Sequence, residues 1–526
     1  MHINSLPDDI LAMVLKKSLS SASSRTEEFV LGLSHLAVCR RWRHVAFPNI
    51  YGVVFVQCIE DRVAEDDYDS DGNSNSDSDR ELLIEEEMVT YSTKTNMGLA
   101  VHTGCAGAAK RAELTVHFSG DPLLGLQEIL RLMGMVSPRW AGIHSLEIVM
   151  NPRSPHYRRN HCILRRHTAH IQRLCAALAA LIPGVRSLAL DTVPWPTTLQ
   201  ALGTQLAGIY AEQLHALDGV DRFAADDAAF IQLRRLFCTH TQDTKGFLAR
   251  VCPATLEAMR ADQPPADHPW PALGVDSGAR AIEFPRLRVL DLAYQHGGTS
   301  DGSEAQSPGA LRFPRLERLR VHCPRGPCPF LERAELPRQV ALVRIACTAH
   351  ALRTLASMPF TVTRHIELDA HALAGSPRDA FAHINRILDK AREGCTGVVL
   401  SVSDSSLPVL PESLTCTALT ALRVLAPTGV ATMIGLIQAL PALVELAFGC
   451  IKFGPLGVSI PAPDGPAPAP LSAGLRRLDL GSDIDEHLPD LIVPVVKYLL
   501  LAVPTLTRLA LVDMPQQPML EFIGEY

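Results

Sequence analysis

The chain has 526 residues, 47% of them apolar and 20% charged, which excludes a mostly disordered chain and predicts several domains or one short domain with a large repeat array. The formal net charge of −7 hides a strong asymmetry. Glu60 to Glu87 holds 13 acidic and two basic residues, so the rest of the chain is close to neutral and lacks the basic footprint of a nucleic-acid binder. The opening MHINSLPDDI has no basic stretch followed by an apolar core, so no secretory signal is expected. The most apolar stretch, Ile492 to Val503, is too short to span a bilayer, which needs about 20 residues. The 13 cysteines are an odd number with no C-x-x-C pair, which fits reduced thiols in a cytoplasmic or nuclear protein.

Residues 1–57 are predicted to form a short helical unit. Pro7 suits the first turn of a helix, where its missing N–H costs nothing. Asp8 and Asp9 then sit at the positive end of the helix dipole, and Lys16 and Lys17 near its negative end. Ile10, Leu11, Val14 and Leu15 line one face. A polar stretch, Ser18 to Arg25, separates this helix from a second, which carries Leu36, Val38, Cys39, Trp42 and Val45.

The segments LPDDILAMVL (6–15), LAVCRRWRHVA (36–46) and PNIY (48–51) resemble the F-box motif, with a longer connection between the two helices than is usual. The resemblance implies docking on the Skp adaptor of cullin–RING ubiquitin ligases. The docking residues it implies are Leu6, Pro7, Ile10, Leu11, Val14, Leu15, Val38, Cys39 and Trp42. A unit this small buries little surface alone, so its apolar face needs a second surface. That surface is either an adaptor or the rest of the chain, in which case the helices act as a cap.

Residues 58–92 contain the acidic run, with DDYDSDGNSNSDSDRE at its centre, and are expected to be a disordered linker or loop. Ser74, Ser76 and Ser78 each have an acidic residue three positions on, the pattern an acidophilic kinase prefers. Phosphorylation there would add about −1.5 to −2 charge per site.

Residues 93–526 repeat the pattern apolar-x-x-apolar-x-apolar. Clear copies are VRSLAL (185–190), LRVLDL (287–292), LERLRV (316–321), VALVRI (340–345), LTALRV (419–424), LVELAF (443–448), LRRLDL (475–480) and LTRLAL (506–511). Looser copies are RAEL-TV at 111–116, IHSLEI (143–148), LRRLFC (233–238), TRHIEL (363–368) and GVVLSV (397–402). The end of each copy alternates apolar and polar, as a strand with one buried face does. Helices are predicted between copies, over Asn160–Ile182, Asp379–Arg392, Ala431–Leu440 and Asp490–Leu501, the last bent or broken at Pro494.

Short strands and helices recurring at about 20–30 residues resemble a leucine-rich-repeat solenoid with a parallel sheet. The fold class expected is therefore α/β: an F-box-like helical unit followed by an irregular repeat domain. Departures are the absent ladder Asn or Cys, whose place is taken by residues such as Val193, Gln295, Pro324 and Pro427, and the long gap at 237–286. A generic α/β domain with a buried parallel sheet gives similar apolar runs.

No nucleophile-elbow, P-loop, dinucleotide or zincin motif occurs, so no catalytic residue and no cofactor is expected. His161, Cys162, His167 and His170 lie among arginines that oppose a cation, and His322, Cys323 and Cys328 lack a fourth ligand, so no metal is expected. The basic run RRNHCILRR (158–166) reads as a solvated face. The function expected is a non-catalytic substrate receptor of a cullin–RING ligase, holding an unidentified protein on the repeat domain, with no nucleic-acid or membrane partner. The alternatives are a repeat scaffold that does not bind the adaptor and an α/β enzyme with a deep polar pocket.

Overall fold

The computed structural model describes residues 10–11, 13–14, 52–62, 89–97, 107, 109–118, 121–153, 168–191, 197–219, 230–238, 251–262, 282–293, 311–323, 328, 330–331, 334–347, 349–370, 377–391, 395, 397–402, 418–425, 427–452, 469–481 and 489–512. They fall into two units, one built from 1–239 and 250–252, the other from 240–249 and 253–526. Both are α/β, with mostly parallel sheets that do not close into a barrel among the described residues.

The first unit contains β1 (Val53–Arg62), β2 (Val89–Thr95), β3 (Arg111–Phe118), α1 (Pro122–Val136), β4 (Ser145–Pro152), α2 (Thr168–Leu181), β5 (Ser187–Asp191), α3 (Thr197–Tyr210), β6 (Ala216–Asp218) and β7 (Arg235–Cys238). From β1 onward the strands pair in parallel as β1-β3-β4-β5-β6-β7, and β2 pairs antiparallel on the other side of β1. Val54, Ala112, Leu146, Leu188, Leu217 and Leu236 stand in register along one buried row. The alternation of the sequence puts these residues on one face, because successive strand side chains point to opposite sides.

Helix α1 covers that face. Asp121 caps it by accepting from the Leu123 N–H at 2.9 Å, and Pro122 occupies the first turn. Gly125 permits the close approach to β3: a Cβ there would lie 2.5 Å from Val116 Cγ1. Helix α2 buries Ile171, Leu174, Cys175, Leu178 and Leu181, in agreement with the periodicity, and the chain turns away at Pro183 and Gly184. At the end of α3, the Tyr210 hydroxyl donates to the Ile182 carbonyl at 2.9 Å.

The second unit contains β8 (Ala258–Asp262), β9 (Ile282–Glu283), β10 (Val289–Ala293), β11 (Leu311–Arg312), β12 (Arg318–Cys323), β13 (Ala334–Glu335), β14 (Gln339–Cys347), α4 (Ala349–Ser357), β15 (Thr361–Ala370), α5 (Pro377–Leu388) and β16 (Gly397–Val402). It continues with β17 (Ala421–Val424), β18 (Thr428–Gly429), α6 (Val430–Ala439), β19 (Glu445–Phe448), β20 (Ile451–Lys452), β21 (Arg477–Gly481), α7 (Pro489–Ala502) and β22 (Arg508–Val512). Ten strands pair in parallel in chain order, β8-β10-β12-β14-β15-β16-β17-β19-β21-β22. One row of apolar residues runs across all ten: Ala261, Leu292, Val321, Ile345, Leu368, Leu400, Leu422, Leu446, Leu478 and Leu509.

A backbone clamp recurs at or near the start of many strands. The N–H groups of Glu317 and Arg318 both donate to the Arg288 carbonyl, at 2.9 Å each, and those of Ala341 and Leu342 to the Glu317 carbonyl. The same arrangement joins Arg476 and Arg477 to Val444, Thr507 and Arg508 to Arg476, and, in the first unit, His144 and Ser145 to Lys110. Tight turns precede several strands, closed by bonds such as Leu287 N–H to the Phe284 carbonyl at 3.4 Å and Leu316 N–H to the Phe313 carbonyl at 3.3 Å. Phe284 and Phe313 stack at 5.2 Å between successive turns, where the sequence offers no Asn ladder. The short strands β9, β11 and β13 pair in parallel just before these turns.

Several expectations need correction. The segment 58–92 is not wholly a linker, because β1 runs to Arg62 and β2 begins at Val89, and they pair from Val56–Thr95 to Arg62–Val89. The alternation Val54, Val56, Cys58 explains why the strand passes the boundary at residue 57. The copy at 111–116 is two residues out of phase: Ala112, not Leu114, aligns with Leu146. Leu400 likewise aligns with Leu368 rather than Ile366. The gap at 237–286 contains β8, whose Met259 pairs with Leu290. Pro494 does not break α7, which runs through it.

Candidate functional site

Of the nine residues expected to dock on an adaptor, the described ones are Ile10, Leu11 and Val14. Ile10, Leu11, Met13 and Val14 have helical backbone. Leu11 is fully buried, whereas Val14 is 40% exposed and Met13 62% exposed. Leu6, Pro7, Leu15, Val38, Cys39 and Trp42 lie outside the described residues, as do Ser74, Ser76 and Ser78 and the run 158–166.

Of the metal candidates, His161, Cys162 and His167 lie outside the described residues. His170 meets Gln127 on α1, with Nε2 and Oε1 3.1 Å apart. Cys323 and Cys328 are buried, while His322, adjacent to Cys323 on β12, projects to the other face. Among the described residues no group of three or more His, Cys, Asp or Glu is placed to hold a metal ion.

The open faces of the two sheets carry the polar chemistry. In the first unit, Gln57 on β1 and His117 on β3 meet at 2.6 Å. Burial, then Arg153 and Lys94, lower the His117 pKa. Arg111 donates to Glu147 on the next strand, which holds its guanidinium charged.

In the second unit, the residues between the apolar positions form a charged row: Arg260, Asp291, Arg320, Arg344 and Glu367 stand in register on five consecutive strands of the sheet. Arg320 lies 3.5 Å from Asp291, and Arg344 lies 3.2 Å from Glu367. The arginines are the outer partners. Arg320 and Arg344 side chains are 45% and 51% exposed, against 20% and 19% for Asp291 and Glu367. Arg318 projects from the same face of β12, two residues before Arg320, and is exposed. His365 lies 4.0 Å from Glu367 on β15, next to a register shift between β14 and β15. Further along, Asp479 on β21 lies 2.7 Å from Arg477 and 4.0 Å from Arg508.

Sequence reasoning did not single out this row. Its signal is the polar residue between the last two apolar positions of each copy, in LRVLDL, LERLRV, VALVRI and TRHIEL. Once the strands are in register, those four positions become neighbours. Another signal is Pro at the turn, in IPGV (182–185), FPRL (284–287), FPRL (313–316), LPAL (440–443) and VPTL (503–506). Pro fixes φ for the second position of such a turn.

The geometry offers a broad charged surface and ion pairs. No helix among the described residues is long and apolar enough to cross a membrane. No family model matches the chain, and no curated protein matches it.

Proposed function

We propose that the chain is the substrate-recognition subunit of a cullin–RING ubiquitin ligase, with the parallel strands as the inner rows of an irregular leucine-rich-repeat-like solenoid. The N-terminal segment would dock on the Skp adaptor, and the open sheet face would hold a protein substrate. The contribution would be positional: a substrate lysine held at high effective concentration near a charged conjugating enzyme.

The observation that carries the binding half of this reading is the row of strands in chain order, several of them tied to the preceding strand by the same backbone clamp, with one polar face left open. Nearest-neighbour stacking of units on the order of 20–40 residues is how repeat domains bury a continuous core. The adaptor half rests on the F-box resemblance of residues 6–15 and 36–51.

A second reading is an interaction scaffold whose N-terminal helices cap the repeat domain. The burial of Leu11 favours it, because that side chain is already covered by the chain itself. Pull-down of the full-length chain with purified Skp adaptor separates the two. Binding lost in both the Leu6→Ala/Pro7→Ala and the Trp42→Ala variants supports the receptor. No binding by folded wild-type protein leaves the scaffold.

A further inference from the structure

We propose that the open face of β12 and β14 binds an extended, carboxylate-rich segment of a partner protein, through Arg318, Arg320 and Arg344. This deepens the reading of the sheet face as the partner-holding surface, and it does not depend on the adaptor.

Three observations converge on an anion. First, Arg320 and Arg344 are directly opposite in register, so two guanidinium-bearing side chains rise side by side on neighbouring strands. Like charges at such positions disfavour the pairing, and an anion bound between them removes the penalty. Second, among the described residues each guanidinium has one carboxylate contact, at 3.5 Å for Arg320 and 3.2 Å for Arg344, and a guanidinium carries five N–H donors in a fork that suits a carboxylate. The acids beneath hold the arginines in place while spare donors face outward. Third, Arg318 adds a further exposed cation on the same face, and no acid among the described residues pairs with it.

The charge pattern also selects the type of partner. Asp291 and Glu367 flank the two arginines in the same row, so the cationic stretch is short. A uniformly charged polyanion running along the row would meet both acids. A peptide crossing the row can place its carboxylates over Arg318, Arg320 and Arg344 and leave Asp291 and Glu367 uncontacted.

The test is fluorescence anisotropy with the full-length chain and a labelled peptide of about 12 residues rich in Asp and Glu, beside its Asn and Gln counterpart. The acidic probe is expected to bind, more weakly as salt rises, and the neutral one not to bind. Arg320→Gln/Arg344→Gln should weaken binding roughly tenfold, with Arg320→Lys/Arg344→Lys intermediate, because Lys keeps the charge and loses the fork. Arg131→Gln removes one exposed guanidinium from α1 in the other unit and should leave affinity unchanged.

No binding of the acidic probe by wild-type protein at low salt would overturn the proposal, and so would equal weakening by Arg131→Gln. Binding of a duplex oligonucleotide instead of the peptide, lost in the same double variant, would overturn the choice of partner. Adaptor pull-down of the double variant keeps the two readings apart. Retained adaptor binding with lost peptide binding supports both, and peptide binding by a chain that fails to bind adaptor leaves only this one.

Discussion

Arg320 on β12 and Arg344 on β14 face each other in register on the open side of the sheet, each leaning on an acid of the strand beyond, Asp291 on β10 and Glu367 on β15. The acids therefore do more than form two surface ion pairs, because they also offset repulsion between the arginines. Replacing Glu367 with Gln is expected to destabilise the second unit by about 0.5–1 kcal/mol, at the upper end for a partly exposed pair. The loss should shrink at high salt, where both attraction and repulsion are screened. Urea unfolding at low and high salt checks this. Arg344→Thr, which removes the repulsion and suits an exposed strand site, should be close to neutral.

Gly125 sets how closely α1 approaches β3. Alanine is worth about 1 kcal/mol more than glycine in a free helix. Here the added Cβ would sit 2.5 Å from Val116 Cγ1, so the overlap should win and Gly125→Ala should destabilise by about 1–3 kcal/mol. The double variant Gly125→Ala/Val116→Ala should recover part of that loss in a thermal melt, because the clashing methyl is gone.

Pro494 lies inside α7, where it cannot donate to the carbonyl four residues earlier. Pro494→Ala should restore that bond and raise stability by about 1–3 kcal/mol. Calorimetry of the two proteins reads the change directly. An unchanged melting temperature would mean that α7 unfolds independently of the main transition.

Burial pushes the Cys175 thiol up from 9.0 to about 12. The folded chain holds this proton above pH 9, where the unfolded chain releases it, so stability should fall as pH rises between about 9 and 12. Tyr91, raised from 10.0 to about 12 by burial and then by Glu60, adds to the fall above pH 10. Cys175→Ala should make the pH dependence shallower across that window. Cys175 should also resist alkylation at pH 8 until the protein is denatured, since the thiolate is the reactive form.

The α/β class and its parallel sheet were legible because buried strands write apolar residues two apart, and Leu188, Leu290, Leu319, Val343, Leu422, Leu446 and Leu478 all lie on buried rows of the sheet. Strands β6 and β8 are among those that the apolar pattern does not mark. β6 is only three residues long and Gly219, at φ 77°, follows it, while in β8 the apolar positions are Met259 and Ala261, so neither writes a strong pattern. Registers were harder still. RAELTVHF alternates along its whole length, and nothing local distinguishes Ala112 from Leu114 as the partner of Leu146. The charged row was invisible for a related reason: Asp291, Arg320, Arg344 and Glu367 lie 23 to 29 residues apart and become neighbours only through pairing. Of the N-terminal docking set, the described residues are Ile10, Leu11 and Val14.

Where two successive N–H groups share one carbonyl, the clamp ties a strand to the one before it, whatever lies between. Met259 to Leu290 and Leu319 to Val343 are joined by connections of different length, yet each pair lands in register. Spacer length and lateral alignment are thus separate variables in this chain. Residues can be inserted or removed between two strands while every side chain on the open face keeps its neighbours, so a surface assembled this way can preserve its pattern of charges as its loops change.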